Sequence, residues 1–170
     1  PIWVDFAQKV LERALKCSKE QAVHFLSAEA CKLPFAERIF DHVLCIGLFQ
    51  SLYNHRTALN EISRILKPGG ALCLMTLNRR NFVATVHRKF GLEEIVMVNN
   101  QPRPRLRTYY PKALGVDLEN AGFNRIRIRP LQIYPQSLNR IKPLIKFWNR
   151  IPMLRYLTAR SIMLTGFKGE

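Results

Sequence analysis

Residues 59–76 read Leu59-Asn60-Glu61-Ile62-Ser63-Arg64-Ile65-Leu66-Lys67-Pro68-Gly69-Gly70 and then Ala71-Leu72-Cys73-Leu74-Met75-Thr76. The first part predicts an amphipathic helix, because its apolar residues share one helical face, namely Leu59, Ile62, Ile65 and Leu66. Pro68 forbids continuation of the helix, and Gly69-Gly70 can take the positive φ angles of a tight turn. The six residues that follow are almost all apolar and predict a strand covered on both faces. The stretch is therefore typical of an α-to-β unit in a parallel sheet.

Two further units precede this stretch. Pro1–Asp5 reads as the end of a buried strand that closes on an acid, and Phe6–Lys16 reads as an amphipathic helix. Its inward positions are predicted to be Phe6, Val10, Leu11 and Ala14. Ala22–Leu26 predicts the next strand, and Phe40–Phe49 predicts another strand with its exit.

The second half continues the α/β pattern. Residues 109–123 predict a helix with a glycine stop at Gly122. Arg125 to Arg129 alternates basic and apolar residues, which predicts a strand with one triply basic face. Residues 161–168 predict the last strand. Residues 82–90 predict a weak helix, and residues 101–107 predict an extended basic loop.

In order and spacing, these segments resemble the class I S-adenosylmethionine-dependent methyltransferases of the type 11 kind. The resemblance rests on six landmarks: Val4-Asp5, the Glu29 loop, Phe40-Asp41, Leu66 to Gly70, Ala121-Gly122-Phe123 and the final strand. It implies an α/β fold with a Rossmann-like sheet of strand order 3-2-1-4-5-7-6 and helices on both faces. Within that sheet, this chain would begin at the end of strand two.

The family's first strand and its glycine-rich turn have no counterpart here, since residues 1–46 contain no glycine. In the family, that turn lets backbone amides approach the methionine part of the cofactor. We therefore expect residues 1–170 to be a single methyltransferase domain that is incomplete at its N-terminus. Either upstream residues have been lost, or strand two pairs directly with strand four in a degenerate sheet.

The resemblance also implies a site for S-adenosylmethionine at the carboxyl ends of the strands. Asp5 would hold the ribose hydroxyls and Phe6 would lie near the adenine. Glu29 would accept from the adenine amino group, and the Ala30 amide would face the ring. The fourth strand's exit, Ile46-Gly47, would allow close approach of the cofactor. From its position alone, Asp5 could equally be a helix N-cap.

For the methyl acceptor, the candidate contacts are Tyr53, His55, Asn78, Tyr109 and Tyr110. No catalytic residue is identified, because Gln50-Ser51 stand where many relatives carry a histidine, and a lone His55 opening a helix is typical of an exposed surface residue. The Asn/Asp-Pro-Pro-Tyr motif of enzymes that methylate amino groups of nucleic-acid bases is absent. A small-molecule or lipid-like acceptor is therefore favoured. The alternatives are a non-catalytic binding or scaffold protein and an RNA-directed methyltransferase.

Charge is distributed unevenly along the chain. Of the net +15, residues 1–78 contribute +2 (9 basic, 7 acidic) and residues 79–170 contribute +13 (18 basic, 5 acidic). The second half should attract anions. Residues 138–157 combine basic and apolar residues without an acid, which predicts peripheral contact with anionic membranes. The alternative is two short helices packed on their own domain.

Composition excludes several classes of protein. An apolar content of 48% fits a globular domain, and no apolar run is long enough for a transmembrane helix. The four cysteines, Cys17, Cys31, Cys45 and Cys73, lack metal-binding spacing and are interpreted as reduced packing residues of a cytoplasmic protein. No metal site is expected.

Overall fold

The computed structural model describes residues 1–18, 22–81, 97–98, 101–102, 106–131 and 159–170. Within these ranges the chain alternates strands and helices, as the apolar patterns predict. In chain order the elements are β1 (Ile2–Asp5), α1 (Gln8–Cys17), β2 (His24–Ser27), β3 (Phe40–Ile46), α2 (His55–Ile65), β4 (Leu66–Leu77), β5 (Met97–Val98), β6 (Gln101–Pro102), α3 (Pro111–Asn120), β7 (Phe123–Leu131) and β8 (Ser161–Lys168).

The main sheet has the order β3-β4-β8-β7. β3 is parallel to β4, whereas β8 runs antiparallel to both β4 and β7. In the numbering of the family's sheet this is the order 4-5-7-6, so the expected α/β fold is confirmed. β1 and β2 form a separate parallel pair, which corresponds to strands two and three.

The core lies on one face of the main sheet, beneath α2 and α3. Residues of β4 alternate, with Leu72, Leu74 and Thr76 buried and the intervening residues partly exposed. The helices contribute the opposite wall of this core, made by Leu59 and Ile62 of α2 and Leu114 and Leu118 of α3. Apolar side chains that are removed from water on both sides of this interface provide the main stabilisation of the domain.

The turn between α2 and β4 differs from the prediction. The helix ends at Ile65, and Leu66 is extended and pairs with Phe40 rather than completing the helical face. Of the two glycines in this turn, Gly69 has a positive φ, +74°, and Gly70 does not. Gly70 is required for another reason, because a Cβ there would lie 2.9 Å from the Lys67 carbonyl oxygen and 3.2 Å from that of Asp41. The turn is therefore pressed against the beginning of β3.

The β1–α1–β2 unit is packed more loosely than predicted. Leu11 is buried, but Phe6 is 72% exposed and Val10 is exposed, although both were predicted to point inward. Two strands of four residues each offer little surface for a ten-residue helix. Among the described residues β1 pairs with β2 and not with β3, so the degenerate pairing of strands two and four is not observed.

The four cysteines are free thiols. Cys45 is buried, and the low polarity around it raises the pKa of its thiol to about 12. Cys31 and Cys73 are half-buried, but Cys17 is exposed at the end of α1, so the interpretation of all four as packing residues is wrong for Cys17.

Three predictions fall wholly or partly on residues that the structure does not describe. The weak helix at 82–90 and the basic segment 138–157 lie outside the described residues. Within 101–107, Gln101–Pro102 forms a short antiparallel pair with Met97–Val98. Among the described residues, no helix is sufficiently long and apolar to cross a membrane.

Candidate functional site

Asp5 and Ser27 are paired at the carboxyl ends of β1 and β2. The two strand ends stay together beyond the ladder, because the Ala28 amide donates to the Asp5 carbonyl oxygen at 3.2 Å. Asp5 Oδ1 accepts from the Ala7 amide at 2.8 Å, which orients the turn into α1, whose N-cap is Ala7. Asp5 is therefore not itself the N-cap. Its second carboxylate oxygen has no protein partner in the described part of the chain.

Glu29 and Ala30 belong to the loop of residues 28–39 that follows β2. The Glu29 side chain is exposed, and its carbonyl oxygen accepts from the Lys32 amide at 3.0 Å. Ala30 packs against the core. The loop therefore leaves a carboxylate accessible to ligand, close in sequence to the β2 end that pairs with Asp5.

Glu61 and Arg64 on α2 hold this loop in place. The Glu61 carboxylate accepts from the Leu33 amide at 2.8 Å. Arg64 donates to the carbonyl oxygens of Leu33 at 3.0 Å and Phe35 at 2.8 Å, and also to both Glu61 oxygens. Hydrogen bonds from Arg64 hold the pKa of Glu61 below its ordinary value. Sequence reasoning placed both residues on the polar face of the helix and missed this role.

Ile46 and Gly47 form the exit of β3. Gly47 has φ +68°, and its amide donates to the Met75 carbonyl oxygen at 2.9 Å, so the chain turns away beside β4. The Ile46 side chain is exposed. The pair thus lies at the carboxyl end of β3, beside β4, and the cofactor roles of all six predicted residues stay predictions.

Asn78 and Tyr109 join two segments at the carboxyl end of β4. They form an isolated parallel bridge, in which the Tyr109 amide donates to Leu77 O at 3.0 Å and the Arg79 amide donates to Tyr109 O at 2.9 Å. The buried Asn78 side chain donates to the Ala159 carbonyl oxygen at 2.9 Å and accepts from the Arg80 amide at 3.0 Å. Asn78 therefore ties together three segments that meet at this edge.

His55 is not the exposed residue that its sequence context favours. Its side chain is 20% exposed, and Nε2 lies 2.9 Å from Asp117 Oδ2 on α3. The ring also packs edge-on against Tyr109, with centroids 5.1 Å apart. The Tyr109 hydroxyl donates to the Phe49 carbonyl oxygen at 2.8 Å, and burial raises the pKa of Tyr109. His55 of α2 is thus bonded to Asp117 of α3 and packs against Tyr109, which precedes α3.

Tyr53 and Tyr110 are the accessible members of the acceptor set, 88% and 51% exposed. The Arg107 guanidinium lies 5.1 Å from the Tyr53 ring centroid, and the Arg79 guanidinium lies 5.2 Å from that of Tyr110. Sequence reasoning missed both arginines as partners of these tyrosines. The structure brings Asn78, Tyr109 and Tyr110 together with His55, and it connects Tyr53 to them through Arg107.

Comparisons with known proteins point to one family. Residues 2–74 match the family described as a methyltransferase domain. The chain is 33% identical over 140 residues to a demethylmenaquinone methyltransferase of Staphylococcus haemolyticus, covering 74% of this chain and 59% of that protein. It is 37% identical over 73 residues to a ubiquinone/menaquinone biosynthesis C-methyltransferase of Desulfotalea psychrophila, covering 42% and 30% respectively. The chain thus spans less than two thirds of either relative.

A solved structure supports the same assignment at the level of the fold. An S-adenosylmethionine-dependent methyltransferase from Thermotoga maritima superposes with a TM-score of 0.70 at 22% identity. The match covers 98% of this chain and 72% of that protein. Together with the strand order, this likeness confirms the class I methyltransferase fold.

Proposed function

We propose that this chain, which has the class I methyltransferase fold and matches a methyltransferase domain over residues 2–74, forms part of an S-adenosylmethionine-dependent enzyme that methylates a small-molecule or lipid-like acceptor. One observation carries the proposal: members of the predicted cofactor set and of the predicted acceptor set both follow the carboxyl ends of parallel strands. In open α/β sheets, ligands bind at this edge. The two quinone-pathway relatives support a small, lipid-like acceptor.

The cofactor side fits S-adenosylmethionine in part. Asp5 offers a carboxylate oxygen at the end of β1, and Glu29 offers an exposed carboxylate two residues beyond the end of β2. Both are suited to the hydroxyl and amino donors of an adenosine. The methionine side lacks the backbone cradle of a glycine-rich turn, since residues 1–46 contain no glycine. When bound, the cofactor supplies the methyl group, and the chain's own residues orient it and the acceptor.

Titration of the chain with S-adenosylhomocysteine, followed by NMR, tests the cofactor site. We expect a dissociation constant well above ~1 μM, because contacts are available on the adenosine side alone. Asp5→Asn should weaken this binding by about 1–3 kcal/mol, the range for a lost charged hydrogen bond. Asp41→Asn is the matched control, since Asp41 is an exposed acid at the opposite end of the sheet. Equal affinities for the two variants would mean that the cofactor site is misplaced.

A non-catalytic binding protein is the second candidate, and it is favoured by Gln50-Ser51, which stand where many relatives carry a histidine. The two candidates differ in one measurable property. An enzyme transfers the labelled methyl group of S-adenosylmethionine to an acceptor such as a demethylated quinone, whereas a binding protein retains affinity for adenosine ligands without transfer. Because the chain is shorter than its relatives, the transfer assay should include a longer version of the protein.

A further inference from the structure

Four arginines lie in the three chain segments that join at the carboxyl end of β4. Arg79 and Arg80 directly follow Asn78, and the Arg79 amide donates to the Tyr109 carbonyl oxygen. Arg107 lies two residues before Tyr109 in an extended segment. Arg160 arrives from the other side, because its carbonyl oxygen accepts from the Asn78 amide at 2.9 Å. All four side chains are exposed, and we call this group the arginine rim.

The arginine rim has no acidic partner in the described part of the chain. The ion pairs found there are those of Asp117 with His55 and Arg56, Glu61 with Arg64, and Asp41 with Lys67. Asp117, on the nearby α3, therefore already has two partners. Guanidinium groups concentrated without a counter-charge create a local positive potential, which attracts anions.

Aromatic rings accompany two of these guanidinium groups. Arg107 is fixed by a 2.7 Å hydrogen bond from its guanidinium to the Tyr53 carbonyl oxygen and lies over the Tyr53 ring. Arg79 lies over the Tyr110 ring. Because each guanidinium lies over a tyrosine ring, its position is restrained, and each ring keeps exposed surface on which a flat group can pack.

We propose that the acceptor of this protein carries an anionic oxygen group, a carboxylate or a phosphate, attached to a flat unsaturated body. The arginine rim binds the anionic group, because guanidinium forks match the geometry of carboxylate and phosphate oxygens. Tyr53 and Tyr110 pack against the flat body. This inference rests on the proposed function, since it assumes that the acceptor enters at the carboxyl end of β4.

The test measures binding of small aromatic probes to the full 170-residue chain by NMR titration without cofactor. The probes are 4-hydroxybenzoate, its neutral amide analogue 4-hydroxybenzamide, phenyl phosphate and phenol. We expect each anionic probe to bind at least about tenfold more tightly than its neutral counterpart, a difference of ~1.4 kcal/mol. A preference confined to one anion identifies that group as the one recognised. The preference should weaken at high salt.

Variants locate the binding. Arg79→Ala combined with Arg107→Ala should remove most of the preference for anions. Because Arg107 also holds the backbone at Tyr53, Arg79→Ala combined with Arg80→Ala provides a second test that leaves this hydrogen bond intact and should reduce the preference as well. Arg13→Ala combined with Lys16→Ala, which removes two exposed basic side chains of α1, is the control for net charge and should leave the preference unchanged.

Three results would overturn the inference: equal binding of charged and neutral probes, equal losses in the control and rim variants, or no binding of either anion at millimolar concentration. Since no cofactor is present, these results are independent of the S-adenosylhomocysteine titration. If the chain binds the anionic probes but not S-adenosylhomocysteine, the inference about the arginine rim stands and the proposed methyl transfer is contradicted.

Discussion

The α2–β4 region and the β1–α1–β2 region have similar sequence patterns and different environments. Each combines an amphipathic helix with an apolar strand. In the first region, Leu59 of α2 and Leu74 of β4 are completely buried. In the second, Phe6 is 72% exposed and Trp3 is 52% exposed, and Leu11 is the buried apolar side chain of α1.

The difference shows that an apolar pattern provides a surface for burial, whereas burial itself requires a partner. β4 lies between β3 and β8 and beneath two helices, so its side chains are covered on the core face. In the described residues β1 has one neighbour, β2. β3 also carries exposed apolar residues, Leu44 and Ile46, on the face opposite the core. We propose that a further strand and helix would cover these surfaces. They are the elements of the family pattern that have no counterpart in residues 1–170.

Truncation of a core residue should have the largest effect. Leu74→Ala removes a fully buried side chain from the centre of the main sheet and should lower the free energy of unfolding by about 2–5 kcal/mol. Leu15→Ala in α1 is the matched control, since Leu15 is exposed, and it should change that free energy by less than about 0.5 kcal/mol. Urea denaturation measures both, and similar losses would mean that the two regions are equally packed.

The turn at Gly69-Gly70 should be the next most sensitive to substitution. Gly70→Ala places a Cβ within 2.9 Å of a backbone oxygen and should destabilise the protein by about 1–3 kcal/mol. Gly69→Ala meets no atom within 4 Å but keeps a strained positive φ, so a smaller loss of about 1 kcal/mol is expected. Thermal unfolding of the two variants should show this order, and the reverse order would contradict a close approach at Gly70.

Arg64→Ala tests how the well-packed region supports the loop of residues 28–39. The substitution leaves the carbonyl oxygens of Leu33 and Phe35 without their donor and should cost about 1–3 kcal/mol of stability. Hydrogen exchange at the Leu33 amide should also accelerate, because its acceptor Glu61 loses its support. Arg13→Ala is the control. Unchanged exchange in the Arg64 variant would mean that the loop is held by Ala30, Leu33 and their apolar contacts instead.

Acidification should weaken the same clamp. The folded state lowers the pKa of Glu61, so its contribution to stability is complete above the unfolded pKa, ~4.3, and is lost as pH falls through the lower folded value. Glu61→Gln should therefore flatten the fall in stability below about pH 4. Glu12→Gln removes a carboxylate from the exposed face of α1 and serves as the control in urea unfolding at several pH values. An equal flattening in both variants would exclude a specific role for Glu61.

The smallest effect is expected at the exposed end of α1. Phe6→Ser replaces a large side chain that is mostly in water and should change the free energy of unfolding by less than about 0.5 kcal/mol in this chain. The same substitution in a version that contains an upstream strand and helix should cost more, if those elements cover Phe6. Identical small effects in both proteins would contradict our proposal that this surface is covered.

Sequence reasoning predicted the elements well where local signals are strong. The last strand, 161–168, has the bounds found in the structure, and the helix before β7 ends at Asn120, shortly before Gly122 with its positive φ, as the glycine signal indicates. The prediction was wrong at Leu66, because its apolar side chain satisfies a helical face and a buried strand equally well. For Phe6 and Val10 the helical pattern was correct, but their burial was not.

The candidate site was only partly accessible to sequence reasoning. Strand ends are predictable, so Asp5 and Gly47 could be assigned to the carboxyl ends of β1 and β3. The pairing of His55 with Asp117 joins residues 62 positions apart, and that of Arg64 with the Leu33 carbonyl joins residues 31 positions apart. No local pattern contains either pairing.

The sequence by itself determined the order and type of the elements, because apolar spacing, prolines and glycines act over a few neighbouring residues. Only the tertiary structure decided which apolar faces are covered, which polar residues hold the loop of residues 28–39 and which arginine-bearing segments join at the end of β4. These outcomes depend on contacts between distant segments of the chain. Their energies depend on burial and on the partner that each group finds, and neither is a property of a single stretch of sequence.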